Sequence, residues 1–343
     1  MPNILEMFSP KIMLDYLNAR EYPVMLGEAL FPARKIDDYE LSYIKGANNK
    51  AVAASVHSFD AEAEIASRDG AKKVDLELAV IKRKIRLSEK EIIKLNKPRD
   101  NVELARAKER FYDDVDMMVM AVKTRLEAMR LEALFTGKLQ IAENNVNLVL
   151  DYQVPDEHQD ELLGDALWSE TTSTPLADLE RWVAILKDNV GGSFSRALTT
   201  TPIIAALCKH ETIRKAIHGV NSDRVATKAQ LNELLASMEM PQFDAYDESY
   251  RIQNANGSYT TKKFVKAGSI VILPDTLLGE TIYAPTPEEL ELASRTDIDM
   301  SKVGNIVAMS YATIDPVAYW TKATTIGLPS FPAADEVFQA KVM

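Results

Sequence analysis

The sequence is poor in the residues on which most protein chemistry depends. Its 343 residues hold one cysteine, Cys208. One thiol excludes an intrachain disulfide and a CxxC metal pair. Cys208 ends the apolar run Ile203-Ile204-Ala205-Ala206-Leu207, so it reads as a small buried hydrophobe in a chain maturing in a reducing cytoplasm. The four histidines, His57, His158, His210 and His218, show no metal-ligand spacing; His210 and His218 are too far apart for a helical two-His pair. Neither GxGxxG nor GxxxxGK[ST] occurs, so the usual phosphate-cradling loops are missing. Gly191-Gly192-Ser193-Phe194-Ser195 lacks the flanking glycines of a nucleophile elbow and reads as a helix stop with a loop after it. Asp113, Asp114 and Asp116 follow one another on a helix, which cannot aim all three carboxylates at one point. No window nears the ~18 continuous apolar residues of a membrane span, and Met1 to Arg20 has no signal-peptide pattern. Positive charge is also short. The net charge is -11, unsuited to general nucleic-acid binding, which needs clustered Lys and Arg. Around packaged DNA the same acidity would limit sticking. No cofactor, metal or membrane is expected, and no catalytic constellation stands out.

What is present is ordinary globular material, 46% hydrophobic and 27% charged, of a length suggesting about two domains. Pro2, Pro10, Pro23 and Pro32 interrupt residues 1-40, which read as an extended arm with one short helix docked on something else. Residues 41-87 read as a long hairpin with a charged tip around Asp69-Gly70. Its return arm alternates through Val74, Leu76, Leu78 and Val80. The pattern then changes face: Lys82, Lys84 and Arg86 continue the first face, while Ile81, Ile85 and Leu87 make the opposite one apolar. A lone two-stranded hairpin is marginal in water, so a neighbouring molecule is expected to cover it.

Residues 101-135 give the strongest helix. Phe111, Val115, Met118, Val122, Leu126, Met129 and Ala133 make one apolar face, and Gly137 ends it. Val146 to Leu150 reads as a strand. Residues 175-320 read as an α/β domain. In it, helices begin at Thr174-Pro175 and Thr201-Pro202, and a third covers about Thr227 to Met238. A hairpin turns at Asn256-Gly257, and Ile270 to Leu273 is a buried strand. The alternating segment Glu336 to Val342 is expected to pair back onto the first domain.

Several of these segments, in this order, resemble the phage lambda major capsid protein family. Glu62 to Gly70 resembles that family's hairpin tip. Leu167-Trp168-Ser169, followed by the helix start from Pro175 to Glu180, resembles its passage into the second domain. Asn256-Gly257 through Lys262-Lys263-Phe264 and then Ile270 to Leu273 resembles its Asn-Gly hairpin and next strand. Asp315-Pro316 with Ala333 to Phe338 resembles its C-terminal pattern. The resemblance implies an α+β fold of the Hong Kong 97 type. That fold has an N-terminal arm (1-40), an extended β-hairpin loop (41-87), a peripheral domain with a long spine helix (88-165 and 316-343), and an α/β axial domain (166-315).

It also implies a function: a subunit of the icosahedral head of a tailed phage. Its partners would be further copies of itself in pentamers and hexamers, a portal protein and possibly a decoration protein. The chain would enclose double-stranded DNA without reading its sequence. Because it begins almost directly with the arm, a separate scaffolding protein is expected. Assembly would take place in the host cytoplasm, and the product would be the virion. Arg68, Asp69, Lys72, Lys73, Lys82, Lys84 and Arg86 are the candidate intersubunit contacts. The run Lys82-Arg83-Lys84 with Arg86 could instead hold nucleic acid, but it is short and lacks interleaved aromatics. A portal or tail component is the second functional reading and an α/β enzyme the third.

Overall fold

A computed structural model describes residues 19-45, 72-96, 101-143, 146-220, 222-254, 256-293, 305-315 and 317-343. The hairpin tip, including Arg68 and the expected turn at Asp69-Gly70, lies outside them.

The first elements that lie wholly among the described residues are a one-turn helix (Leu26–Leu30) and β1 (Ala33–Lys35). β2 (Glu40–Lys45) and β3 (Lys72–Glu77) pair as a two-stranded sheet. β4 (Val80–Leu87) and a helix at Glu89–Asn96 lead to the spine helix, Asn101–Thr136. β5 (Lys138–Glu143) and β6 (Val146–Asp151) form an antiparallel hairpin. After β7 (Gln159–Glu161) come helix Pro175–Asn189, β8 (Arg196–Thr199) and helices Thr201–Lys209, Glu211–His218 and Lys228–Ser237. β9 (Gln242–Ala245), β10 (Ser249–Gln253), β11 (Tyr259–Lys263), β12 (Ser269–Leu273) and β13 (Glu280–Ala284) follow. Helix Pro287–Ala293, β14 (Val307–Ile314), β15 (Val317–Ser330) and β16 (Phe338–Lys341) complete the chain.

The chain divides into two compact units. The first holds residues 1-41, 75-130 and 280-330; the second holds 42-74, 131-279 and 331-343. β16 lies in the second, antiparallel to β12 and, on its other side, parallel to β7, so the final segment pairs with a strand from residues 88-165 as well as with one from 166-315. Its Gln339 side chain donates to the carbonyl of Leu134 at 2.7 Å, satisfying an orphan acceptor of the spine helix's last turn. Alternation alone marks β16 as a strand but cannot name its partner.

In the first unit the sheet runs β1-β13-β15-β14, with β4 added along the other side of β15. The spine helix covers one face of it. Val115, Met118, Val119, Val122 and Leu126 are buried there with Tyr283, Ala308 and Ala323, against Ile81, Ile85 and Leu87. The change of face in the sequence is therefore a break between two strands. The chain leaves β3 at Glu77, buries Leu78, and restarts as β4 in a different sheet. Lys82, Lys84 and Arg86 thus sit in this sheet and not on the hairpin where the sequence expectation put them.

The arm from Arg20 onward is docked on its own chain. Gly27 N–H donates to Glu127 Oε1 at 2.7 Å, and Phe31 is fully buried. Arg130 Nε donates to Thr281 Oγ1 at 2.8 Å, and Thr281 Oγ1 donates to the carbonyl of Phe31 at 2.9 Å. Glu127 and Arg130 are buried, at 0% and 2% exposure. A Cβ at position 27 would meet Glu127 Oε2 at 2.7 Å and Arg130 at 3.1 Å, so any larger residue must displace those side chains.

The second unit has the sheet β7-β16-β12-β8-β9. Every residue of β12 is buried. Trp168 stacks on Trp182 with ring centroids 5.7 Å apart, and Trp182 stacks on Phe338 at 5.3 Å. Both indole N–H groups find carboxylates, Asp178 at 3.0 Å and Asp160 at 2.9 Å, so these large rings are buried without an orphaned donor. The helix at Lys228–Ser237 starts in a full capping box of Thr227 and Gln230.

Candidate assembly surface

The face of the first unit's sheet opposite the spine helix carries three of the candidate residues, Lys82, Lys84 and Arg86. β4 alternates, with Lys82, Lys84 and Arg86 exposed and Ile81, Ile85 and Leu87 turned inward. Register places Lys82 across from Thr324, Lys84 across from Lys322, and Arg86 across from Trp320. On the other side of β15, Tyr311 lies across from Trp320 and Met309 from Lys322. One sheet face therefore collects four cations around a half-buried tryptophan.

Like charges directly across a strand pair are destabilising, and Lys84 and Lys322 would be such a pair. The structure separates them electrostatically. Lys322 is ion-paired with Glu288. Burial pushes the Glu288 carboxyl up, but the hydrogen bond from Lys322 and the charges of Lys322 and Lys82 outweigh it and hold that carboxyl below its ordinary value. Lys84 is carried over the indole of Trp320, with Nζ 4.3 Å from the ring centroid, and Arg86 Cζ lies at 6.0 Å. Each is an attractive cation–π contact. Among the described residues neither Lys84 nor Arg86 has a carboxylate partner.

Lys72 and Lys73 open β3, in a different sheet from this face; Arg68 and Asp69 lie outside the described residues. The structure brings Lys82, Lys84 and Arg86 together and adds Trp320 and Lys322, which the sequence reading missed. The available signal was the alternation of Trp320 and Lys322 on a strand whose intervening residues are small.

The nearest approach to catalytic geometry is in the second unit. Ser173 Oγ lies 3.0 Å from His210 Nε2. His210 Nδ1, however, accepts from the backbone N–H of Thr212 and caps helix Glu211–His218. Nε2 therefore carries the proton, facing Ser173 and the Glu170 carbonyl, and is not placed to take one. Burial lowers the histidine's pKa, and Ser173 is 4% exposed. This is a buried cap. Asp116, one of the three helix aspartates, pairs with Arg20 at 3.3 Å and accepts from Tyr22 at 2.7 Å. Among the described residues no group of His, Cys, Asp or Glu has a metal-binding arrangement, and no helix is long and apolar enough to cross a membrane.

A prophage protein from E. coli CFT073, described as a capsid protein, is similar over 98% of this chain and 99% of its own, with a TM-score of 0.64 at 15% identity. A phage-related protein from Bordetella bronchiseptica RB50 is similar over 96% of each chain, with a TM-score of 0.55 at 11% identity. At these identities the likeness shows a shared fold. No curated protein matches by sequence. The family described as phage major capsid protein E matches residues 9–342. The chain belongs to that family and is a viral capsid protein.

Proposed function

We propose that this chain builds the closed icosahedral head of a tailed phage from pentamers and hexamers, and that the basic sheet face is one of its intersubunit contacts. The single observation that carries the reading is the family match across residues 9–342, on a chain whose described polar clusters are structural. Heterologous contacts that repeat around a closed symmetry make rings, and rings make a shell. In this reading residues 1-40 serve as the arm, 41-87 as the extended loop, 88-165 with 316-343 as the peripheral domain and 166-315 as the axial domain. A separate scaffolding protein and a portal protein are its further partners. Assembly takes place in the host cytoplasm. The shell surrounds double-stranded DNA without sequence-specific contacts, in keeping with a net charge of -11. The role is structural, with no reaction catalysed.

Gradient sedimentation of the purified protein, with and without its scaffolding partner, tests this. Shell-sized particles are expected. Protein that stays at subunit size under both conditions contradicts the reading.

A further inference from the structure

Lys84 and Arg86 are exposed cations without carboxylate partners among the described residues, in a chain that is acidic overall. The same chain offers a complementary surface. Residues 156-165 of the second unit contain Asp156, Glu157, Asp160, Glu161 and Asp165. Asp160 is bound to Arg181 at 2.7 Å and Glu161 to Lys341 at 2.6 Å. Asp156, Glu157 and Asp165 are exposed and have no cation partner among the described residues. Leu163, between them, is 73% exposed. The segment runs along β7, the last strand at one side of its sheet. It is an acidic ridge with an apolar residue in it, and the basic face has Trp320 and Tyr311 among its cations.

We infer that the acidic ridge Asp156 to Asp165 of one subunit docks on the Lys84–Trp320–Arg86 face of another. The inference rests on the reading of the chain as a self-assembling capsid subunit and names the two halves of one contact. The halves are different surfaces, so the contact is head-to-tail, the kind that closes rings. DNA is the competing occupant of the face, since bases stack on aromatics in basic grooves. Two observations favour protein. Lys84 already lies 4.3 Å over the indole, on the ring face a base would need. A chain of charge -11 also repels phosphate over most of its surface.

The test uses two full-length variants under conditions in which the wild type forms shells. One reverses the face, Lys84→Glu with Arg86→Glu. The other reverses the ridge, Asp156→Lys, Glu157→Lys and Asp165→Lys. Each alone is expected to keep the wild-type circular dichroism and to assemble roughly tenfold or more slowly, because complementary charge governs encounter and register. Combined in one chain, the two reversals should recover assembly, since the reversed face of each copy then meets the reversed ridge of the next. If the doubly reversed chain stays unassembled while folded, the pairing is wrong. If the face variant assembles alone at the wild-type rate, with or without loss of retained DNA, the face has another role. Should a reversal unfold the chain, the neutral variant Lys84→Gln with Arg86→Gln decides. It should assemble slowly with a flattened salt dependence, and wild-type salt dependence would overturn the inference. Failure of the wild type to form any shell would instead strike the capsid reading itself.

Discussion

Val122 is fully buried between the spine helix and the sheet. Val122→Asp places an uncompensated carboxylate there and should cost roughly 3–5 kcal/mol, read as aggregation or a large fall in melting temperature. Lys123 is its neighbour on the spine helix. The structure gives it a task, since it pairs with Glu28 at 3.2 Å and holds the arm. Lys123→Asp should therefore fall between Val122→Asp and a solvent-exposed change, at roughly 1 kcal/mol. Equal melting temperatures for the two would show that the helix face is misplaced. Gly27→Ala is a sharper probe of the arm. The added methyl meets Glu127 and Arg130, and the rearrangement should cost roughly 1–3 kcal/mol. Limited proteolysis should then cut residues 19-35 faster than in the wild type; unchanged cleavage would mean the arm is not held there. The latch was invisible in the sequence, because Gly27 and Glu127 are 100 positions apart and each looks ordinary alone.

Elements show where local signals suffice and where they do not. The Asn256-Gly257 turn, the Thr-Pro helix starts and the helix from about Thr227 rest on short-range signals, and the structure has each where the sequence puts it. Helix Glu211–His218 was missed because its cap is His210, an unusual capping residue. The partner of β4 was missed for a different reason. A strand's alternation reports which face is buried but not which strand lies beside it, and β4 pairs with β15, more than 200 positions away. The edge of the second unit's sheet has a similar long-range device. Asn232 donates to the Phe243 carbonyl at 3.1 Å and accepts from its N–H at 2.9 Å, taking the place of a neighbouring strand along β9. Exposed edges invite pairing with other chains. Asn232→Leu should cost roughly 1–3 kcal/mol through the two orphaned backbone groups and raise aggregation on heating. Wild-type melting and solubility would show that the amide bridge is incidental.

At the scale of the molecule, two buried histidines couple stability to pH. Burial is the leading cause that lowers the pKa of both His158 and His210 from 6.5. The unfolded chain then binds protons that the folded chain refuses, so stability falls as pH drops below about 6.5. The second unit should melt at lower temperature at pH 5.5 than at pH 7.5, and His158→Gln should shrink that difference. A melting temperature independent of pH across this range would contradict the burial argument. Loop 41-87 is a separate matter. Because β4 belongs to the first unit's sheet, a deletion that tests the loop must spare it. Removing Asn48 to Gly70 should leave a folded chain that forms no shells; normal shells would remove the loop from assembly.

Electron microscopy of the purified, assembled protein decides whether this chain builds shells. Closed particles with icosahedral symmetry are expected, their wall consisting of this fold in fivefold and sixfold rings. Isolated rings or tubes as the end product would make the chain another virion component, and dispersed particles of about 38 kDa, the mass of one chain, would contradict shell building outright.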